Sequence, residues 1–325
     1  MITFEQFIDC IFQSFDASAI KDFRRFLQKN PGATKWIIAA DYCLHDAQRP
    51  NNAYAFSILP YDAELDQLRD EIKLHLPRDL KKAKELSEEG QKFLKQDRRY
   101  HIGFVLKGNP WFFYSPDGTA PLELARRTID AELESAKNMG RGDDLIRRLK
   151  KLKQESQANS FNHRLLADMY ILIYLFTFVT VLLARERQIE GVGWFSDRDK
   201  MTEWSDGIVW HLATLALRGI AEKRNVPLPQ SSPVIGVPDQ AKQEGAMWFD
   251  ELIRLPDYIA GILSAWDFEQ NFLPPTRQEK NKYLQLAQDV IADSQNTAII
   301  NIRYDQVVSA SQILTSRRPF ESPQA

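Results

Sequence analysis

Three aspartates stand where their carboxylates can act together. Asp41 ends the uncharged run at 36–40, and Asp197 ends a second short apolar run at 191–196. Uncharged runs of this length are typical of buried strands, and a carboxylate at a strand end lies on the rim of the sheet. If the two strands are neighbours, their tips lie roughly 5 Å apart. Asp257 stands among apolar residues of a later predicted helix and is the third member of this set.

Carboxylates at such a spacing repel one another, and each raises the pKa of the next unless a cation neutralises them. Oxygen ligands of this kind favour Mg²⁺ or Mn²⁺. Two such ions, roughly 4 Å apart, can activate a water molecule and stabilise the leaving oxygen of a phosphodiester. Arg198 and Lys200 follow the second strand and are candidate contacts to the substrate phosphate. The pattern favours a metal-dependent nuclease or phosphodiesterase whose partner is nucleic acid.

The elements that must position these residues follow from hydrophobic periodicity. Two β-leaning runs at 36–41 and 53–59 predict an antiparallel hairpin, and a third strand follows at 101–106. A long helix is predicted at 161–187, with its N-cap at Asn159 or Ser160. The other predicted elements are an N-terminal helical pair at 1–30, polar helical regions at 62–98 and 120–158, helices at 202–223, 247–266 and 278–293, and strands at 191–196, 234–237 and 298–303. This order predicts an α/β fold.

We expect a single decorated domain, because 325 residues with 44% hydrophobic content can bury one large core. Its expected parts are an N-terminal helical cap at 1–34, a core at 35–275 with helical insertions at 62–98 and 115–158, and a C-terminal helix, strand and tail at 276–325. The two cysteines form no CxxC or Cys/His cluster, which argues against disulfides and structural zinc. The N-terminus carries acids where a signal peptide carries Lys or Arg, so a cytoplasmic location is expected.

Residues 169–184 are uncharged and resemble a membrane span. The run has 16 residues, fewer than the roughly 18 to 20 that cross a bilayer, so we interpret it as a helix buried in the protein core. The net charge of −2 gives no overall attraction to membranes or nucleic acid, and a nucleic-acid partner therefore requires a local basic patch. A homo-oligomer or a partner protein is left open by the sequence.

Three segments resemble a bacterial family called domain of unknown function 3800, which is regarded as ribonuclease H-like and nucleolytic. They are WIIAAD at 36–41, VGWFSDR at 192–198 and DELIRLPDYIAG at 250–261. The resemblance spans residues 35–268 and implies a ribonuclease H-like mixed sheet, with three antiparallel strands followed by parallel strands. It also implies that Asp41, Asp197 and Asp257 are catalytic metal ligands, and it suggests a setting in mobile-element or phage-defence biology.

The family usually has Glu directly after the first Asp, whereas Tyr42 stands there in this chain. Three other carboxylates are candidates for the missing ligand: Asp46, Asp168 and Asp199. Asp250 lies seven residues before Asp257 and shares its helical face. The alternative is a catalytically degenerate ribonuclease H-like scaffold that acts as an interaction or sensor module.

Other patterns point less clearly to chemistry. The basic run at 147–153 is interpreted as a solvated helix face rather than a phosphate site, because acids flank it. The five histidines form no metal-binding pair, and His163 is expected to be structural rather than a base. The aromatic cluster at 111–114 could stack on unpaired bases, although packing is the expected role. No Walker, GxGxxG or GxSxG motif is present, so nucleotide hydrolase, dehydrogenase and α/β-hydrolase functions have no support.

Overall fold

One mixed β-sheet organises the protein. The computed structural model describes residues 4–62, 64–78, 83–107, 118–138, 140, 142–229, 234–235, 247–273, 281–305 and 307–316. The strands are β1 (Lys35–Cys43), β2 (Asn52–Pro60), β3 (Tyr100–Leu106), β4 (Gly191–Ser196), β5 (Val234–Ile235), β6 (Thr297–Asp305) and β7 (Val307–Gln312). Their spatial order is β5-β4-β1-β2-β3-β6-β7. The predicted α/β class is confirmed.

Strand β1 has an antiparallel neighbour on one side and a parallel neighbour on the other. β1 runs antiparallel to β2 and parallel to β4, and β2 runs antiparallel to β3. The strand β6 is parallel to β3, and β7 pairs antiparallel with β6 at the sheet edge. β1 and β4 therefore present their C-terminal ends at the same rim of the sheet.

The helices cover both faces of this sheet. They are α1 (Phe4–Ala17), α2 (Ile20–Lys29), α3 (Leu65–His75), α4 (Glu88–Leu94), α5 (Pro121–Asn138), α6 (Asp143–Glu155), α7 (His163–Glu186), α8 (Lys200–Lys223), α9 (Asp250–Ala265) and α10 (Asn281–Gln285), followed by a π-helical turn at Leu286–Ile291. Side chains alternate between faces along a strand. Ile38 and Ala40 of β1 join the core that contains α7, whereas Ile37 and Ala39 join the core that contains α9.

The helix α7 is the predicted buried helix, and its residues 166–184 are all buried. By length and composition it could cross a membrane, but 94% of its most apolar stretch is buried inside the protein. This burial is consistent with a core helix of a soluble protein. Its N-cap is Asn162 rather than Asn159 or Ser160, because the Asn162 side chain accepts a hydrogen bond from the Leu165 amide at 3.0 Å.

Several element boundaries differ from the sequence prediction. The helix after Asp197 begins at Lys200 and breaks at residues 204–207, where Ser205 and Asp206 have positive φ. Pro256 lies inside α9 without ending it, although its ring removes one intrahelical hydrogen bond. The strand β7 was not predicted. The aromatic cluster at 111–114 and residues 236–237 lie outside the described residues.

The helix α9 lies close to the strands β1, β2 and β3. Gly103 of β3 permits this approach, because a Cβ atom at that position would lie 2.2 Å from the Cδ1 atom of Leu263. Leu255, Ile259 and Leu263 of the same helix are fully buried against the sheet. This packing fixes the position of α9, and with it the position of Asp257.

Candidate active site

The register between β1 and β4 brings Asp41 and Asp197 to the same place. Ala40 pairs with Ser196 across the parallel strands, and the Asp197 amide donates a hydrogen bond to the Ala40 carbonyl at 3.3 Å. Asp41 and Asp197 are the next residues on each strand, and neighbouring strands lie roughly 4.8 Å apart. By the alternation of side chains, Asp41 follows Ala39 and Asp197 follows Phe195 onto the face that carries α9.

The third aspartate reaches this point from α9. The carboxyl group of Asp257 lies within hydrogen-bonding range of the carboxyl group of Asp41. Asp41 is 9% exposed. Its pKa is raised well above the ordinary value, first by burial and then by the charges of Asp257 and Asp197. The Tyr42 amide, which donates to Asp41 Oδ1 at 2.7 Å, acts in the opposite direction.

Asp197 lies at the strand end and is more exposed than Asp41. Partial desolvation by the surrounding protein is the largest cause of its raised pKa, and the charges of Asp199 and Asp250 add to the shift. The Arg198 amide donates to Asp197 Oδ1 at 2.9 Å and lowers the pKa of the carboxyl. The site therefore holds several carboxyl groups whose charged forms destabilise one another.

These carboxyl groups line a cleft of about 570 Å³ at the C-terminal ends of β1 and β4. Acids and arginines share its walls. The charged lining residues are Asp41, Asp197, Asp250, Glu251, Asp257, Arg49, Arg78, Arg198 and Arg254. Such a surface can bind a cation at the acids and an anionic group at the arginines.

Arg198 lines the cleft and forms an ion pair with Asp250. Its Nη2 atom lies 3.3 Å from Asp250 Oδ2, and the Met247 amide donates to the same carboxylate oxygen at 2.9 Å. Asp250 thus fixes the guanidinium of Arg198 beside Asp197. Lys200, the second candidate phosphate contact, is the exposed first residue of α8.

The other candidate carboxylates have separate partners. Asp168 is buried on the α7 side of the sheet, where its Oδ2 atom lies 2.7 Å from His45 Nε2. Asp199 caps α8 by accepting hydrogen bonds from the amides of Met201 and Thr202. Asp46 pairs with Arg49 at 3.0 Å. The structure therefore brings together Asp41, Asp197 and Asp257, with Asp250 nearby. Asp199 is close enough to Asp197 to raise its pKa but serves as the cap of α8, whereas Asp46 and Asp168 lie elsewhere.

Tyr42 points away from the three aspartates. Its ring packs with the core on the α7 face and lies 6.0 Å from the ring of Tyr54. Burial, followed by the charge of Asp199, raises the pKa of its phenol. Tyr42 also lines the cleft next to Asp41, so a tyrosine stands at its wall where the family usually has a glutamate.

Sequence reasoning missed three of the cleft arginines. Arg254 lies four residues after Asp250 and three before Asp257, so helical spacing could have identified it. Arg49 and Arg78 carry no local signal, because loop and helix-end positions join the cleft through tertiary packing. The Arg49 side chain is 5% exposed and donates to the Gly261 carbonyl at 3.2 Å.

The donor set suits a hard divalent cation. Among the described residues, no three His, Cys, Asp or Glu side chains are already arranged around a metal position. The carboxyl of Asp257, which is half-buried, lies close enough to hydrogen-bond to the buried carboxyl of Asp41, so the two cannot both be ionised without large repulsion. A proton or a cation between them relieves that repulsion, and carboxylate oxygens are the ligands that Mg²⁺ and Mn²⁺ prefer.

No family model matches the chain, and no similar curated protein or solved structure was found. Function is therefore argued from the chemistry of the site. The site offers cation ligands on one wall, fixed guanidinium groups on the others, and an open cleft between them. Those features suit the binding of an anionic substrate next to a divalent cation.

Proposed function

We propose that this protein is a divalent-metal-dependent phosphodiesterase that cleaves nucleic acid. The observation that carries the proposal is that Asp41, Asp197 and Asp257, which are far apart in the sequence, lie together on one face at the rim of the sheet. Two further carboxyls beside the buried Asp41 are costly unless a cation is bound, which is a reason to expect a functional site there.

The proposed core is ribonuclease H-like. Two features support it: the strand order β3-β2-β1-β4-β5, with β1 to β3 antiparallel, and the position of β4 parallel to and directly beside β1. The helix α9 adds the third carboxylate from the face of the sheet. Membership of the family that the sequence resembles, and a cytoplasmic location, are part of the same proposal.

In this proposal Asp41, Asp197 and Asp257 would hold Mg²⁺ or Mn²⁺. When bound, the metal would supply an activated water molecule and stabilise the leaving oxygen. Asp250 orients the guanidinium of Arg198 through their 3.3 Å ion pair, so that Arg198 is placed to attract a substrate phosphate. The amide of Tyr42 donates to one oxygen of Asp41 and holds it in a fixed direction.

A second candidate function is a non-catalytic scaffold that acts as an interaction or sensor module. The observation that favours it is the lack, among the described residues, of three acid or histidine side chains already placed around a metal position. Such a scaffold would bind partners without metal-dependent cleavage. Measurements of cleavage and of metal binding therefore distinguish the two proposed functions.

The test compares Mn²⁺-dependent cleavage of single-stranded, duplex and hybrid nucleic acids by the wild type and by Asp197→Asn. Asp130→Asn is the matched control, because Asp130 lies on α5 and pairs with Lys153 at 2.7 Å. We expect Mn²⁺-dependent cleavage by the wild type and the control, and a loss of at least about a hundredfold in Asp197→Asn. Equal activity in all three proteins would contradict the assignment of the site. Absence of both cleavage and calorimetric Mn²⁺ binding in the wild type would favour the scaffold.

A further inference from the structure

The helical segment between β2 and β3 contributes a residue to the cleft. Arg78 follows α3, and it lines the cleft together with Asp41 and Asp257. Residues 62–98 are predicted to be a helical insertion, yet Arg78 near the middle of this segment forms part of the wall of the candidate site. Arg78 is exposed, and among the described residues we find no ion-pair partner for it.

Two residues of α9 hold the backbone that carries Arg78. Arg254 Nη1 donates to the Leu76 carbonyl at 3.0 Å, and the Tyr258 hydroxyl donates to the Pro77 carbonyl at 3.3 Å. Tyr258 is fully buried. These contacts come from the helix that also carries Asp257, so the origin of the Arg78 side chain is fixed relative to the aspartates.

The other cleft arginines have much of their hydrogen-bonding capacity occupied. Arg198 pairs with Asp250, and Arg49 pairs with Asp46. Arg254 donates to the Leu76 carbonyl. No described residue occupies the donors of Arg78, and a guanidinium suits the bidentate binding of a phosphate.

The length of the cleft suits a nucleic-acid strand. Its wall on α9 runs from Asp250 to Gly261, about 16 Å of helix at 1.5 Å per residue. One strand of B-DNA carries a phosphate about every 3.4 Å of helix axis. A strand lying along α9 can therefore place several phosphates beside the cleft arginines.

We propose that Arg78 binds a phosphate of a nucleic-acid strand lying along α9, and that Arg254 and Tyr258 are positioning residues for it. The inference rests on the proposed function, because it uses the same cleft. It adds a residue that contacts the substrate, and it gives the segment at 62–98 a role in binding.

Binding of a labelled twelve-nucleotide thymidine strand, measured by fluorescence anisotropy with Ca²⁺ and a series of salt concentrations, tests the proposal. We expect Arg78→Ala to weaken binding about tenfold. Loss of one phosphate contact should also reduce the slope of log affinity against log salt concentration by about 0.7 for a single strand. Arg147→Ala is the matched control, because Arg147 is an exposed arginine on α6 at the other face of the sheet. The control should leave both affinity and slope unchanged.

A double-mutant cycle separates positioning from general destabilisation. Tyr258→Phe removes one hydroxyl and no charge. It should weaken binding a few-fold in the wild type and have no further effect in the Arg78→Ala background, since the two residues act through one contact. An equal effect in both backgrounds would contradict the positioning role.

The remaining outcomes separate this inference from the proposed function. If the wild type cleaves nucleic acid but Arg78→Ala keeps the wild-type salt slope, the inference is wrong and the proposed function stands. A wild type that binds the single strand through Arg78 without cleaving it would overturn the proposed function alone. A wild type that neither binds nor cleaves nucleic acid overturns both.

Discussion

The pairing of Asp41 with Asp257 predicts that Asp257→Asn stabilises the metal-free protein. The two carboxyls lie within hydrogen-bonding range, and burial followed by the charge of Asp257 raises the pKa of Asp41 well above its ordinary value. Asparagine has nearly the same shape as aspartate and carries no charge. Its amide can donate a hydrogen bond to the Asp41 carboxylate, so the substitution removes repulsion without leaving a cavity.

Two estimates give a similar free-energy cost for placing the carboxyls of Asp41 and Asp257 side by side. Keeping one carboxyl protonated at pH 7, against an ordinary pKa of about 3.9, costs about 4 kcal/mol at 1.36 kcal/mol per pKa unit. Two unit charges roughly 4 Å apart repel by about 4 kcal/mol at an effective dielectric constant of 20. Solvent in the open cleft and the Tyr42 amide reduce this cost. We therefore expect Asp257→Asn to raise the free energy of unfolding by about 2 kcal/mol, or roughly 4 °C in Tm.

The stabilisation that we expect from Asp257→Asn depends on pH. Because the pKa of Asp41 is raised in the folded state, the folded protein binds more protons than the unfolded chain above the ordinary carboxyl pKa. Wild-type stability therefore falls as the pH rises through the folded pKa. The advantage of Asp257→Asn should be present at neutral pH and disappear towards roughly pH 4, where both states are protonated.

Thermal unfolding in EDTA and in Mn²⁺ measures the prediction. Mn²⁺ at a hundred times its Kd should stabilise the wild type by about 2.7 kcal/mol, and the variant much less, because the variant lacks a ligand. The order of stability should then reverse between the two conditions. The exposed control Asp130→Asn should change stability by less than about 1 kcal/mol and keep the Mn²⁺ response. A variant less stable than the wild type in EDTA at neutral pH, or an equal Mn²⁺ response in both, would refute the reasoning.

Two further substitutions test the position of α9 and the orientation of Tyr42. Gly103→Ala places a Cβ atom 2.2 Å from Leu263 Cδ1, so the buried Leu263 side chain or α9 must shift. We expect a cost of about 1 to 3 kcal/mol in denaturant unfolding and a lower metal affinity through displacement of Asp257. Wild-type stability and metal affinity would show that the Leu263 side chain moves aside and that Gly103 does not set the position of α9. Tyr42→Phe should leave Mn²⁺ binding and any cleavage unchanged, because its ring lies on the α7 face; a loss as large as that of Asp41→Asn would show that the phenol takes part in the site.

The candidate site was only partly predictable from the sequence. Asp41, Asp197 and Asp257 stand out because strand ends and a charged residue on an apolar helix face are visible as local patterns. Asp168 and Asp199 carried equally plausible local patterns, yet one pairs with His45 and the other caps α8. A local sequence pattern does not show on which face of the sheet a loop or the start of a helix lies. The sequence alone therefore could not distinguish Asp168 and Asp199 from the residues of the site.

The sequence by itself determined the α/β class, the buried character of α7 and the strand ends that carry Asp41 and Asp197, because these depend on hydrophobic periodicity within a single element. Only the tertiary structure decided which strands are neighbours, that Tyr42 faces away from Asp41, and that Arg78 reaches the cleft. Those facts depend on strand register and on the close approach of α9 at Gly103. Both arise from contacts between residues far apart in the chain, which no local pattern specifies.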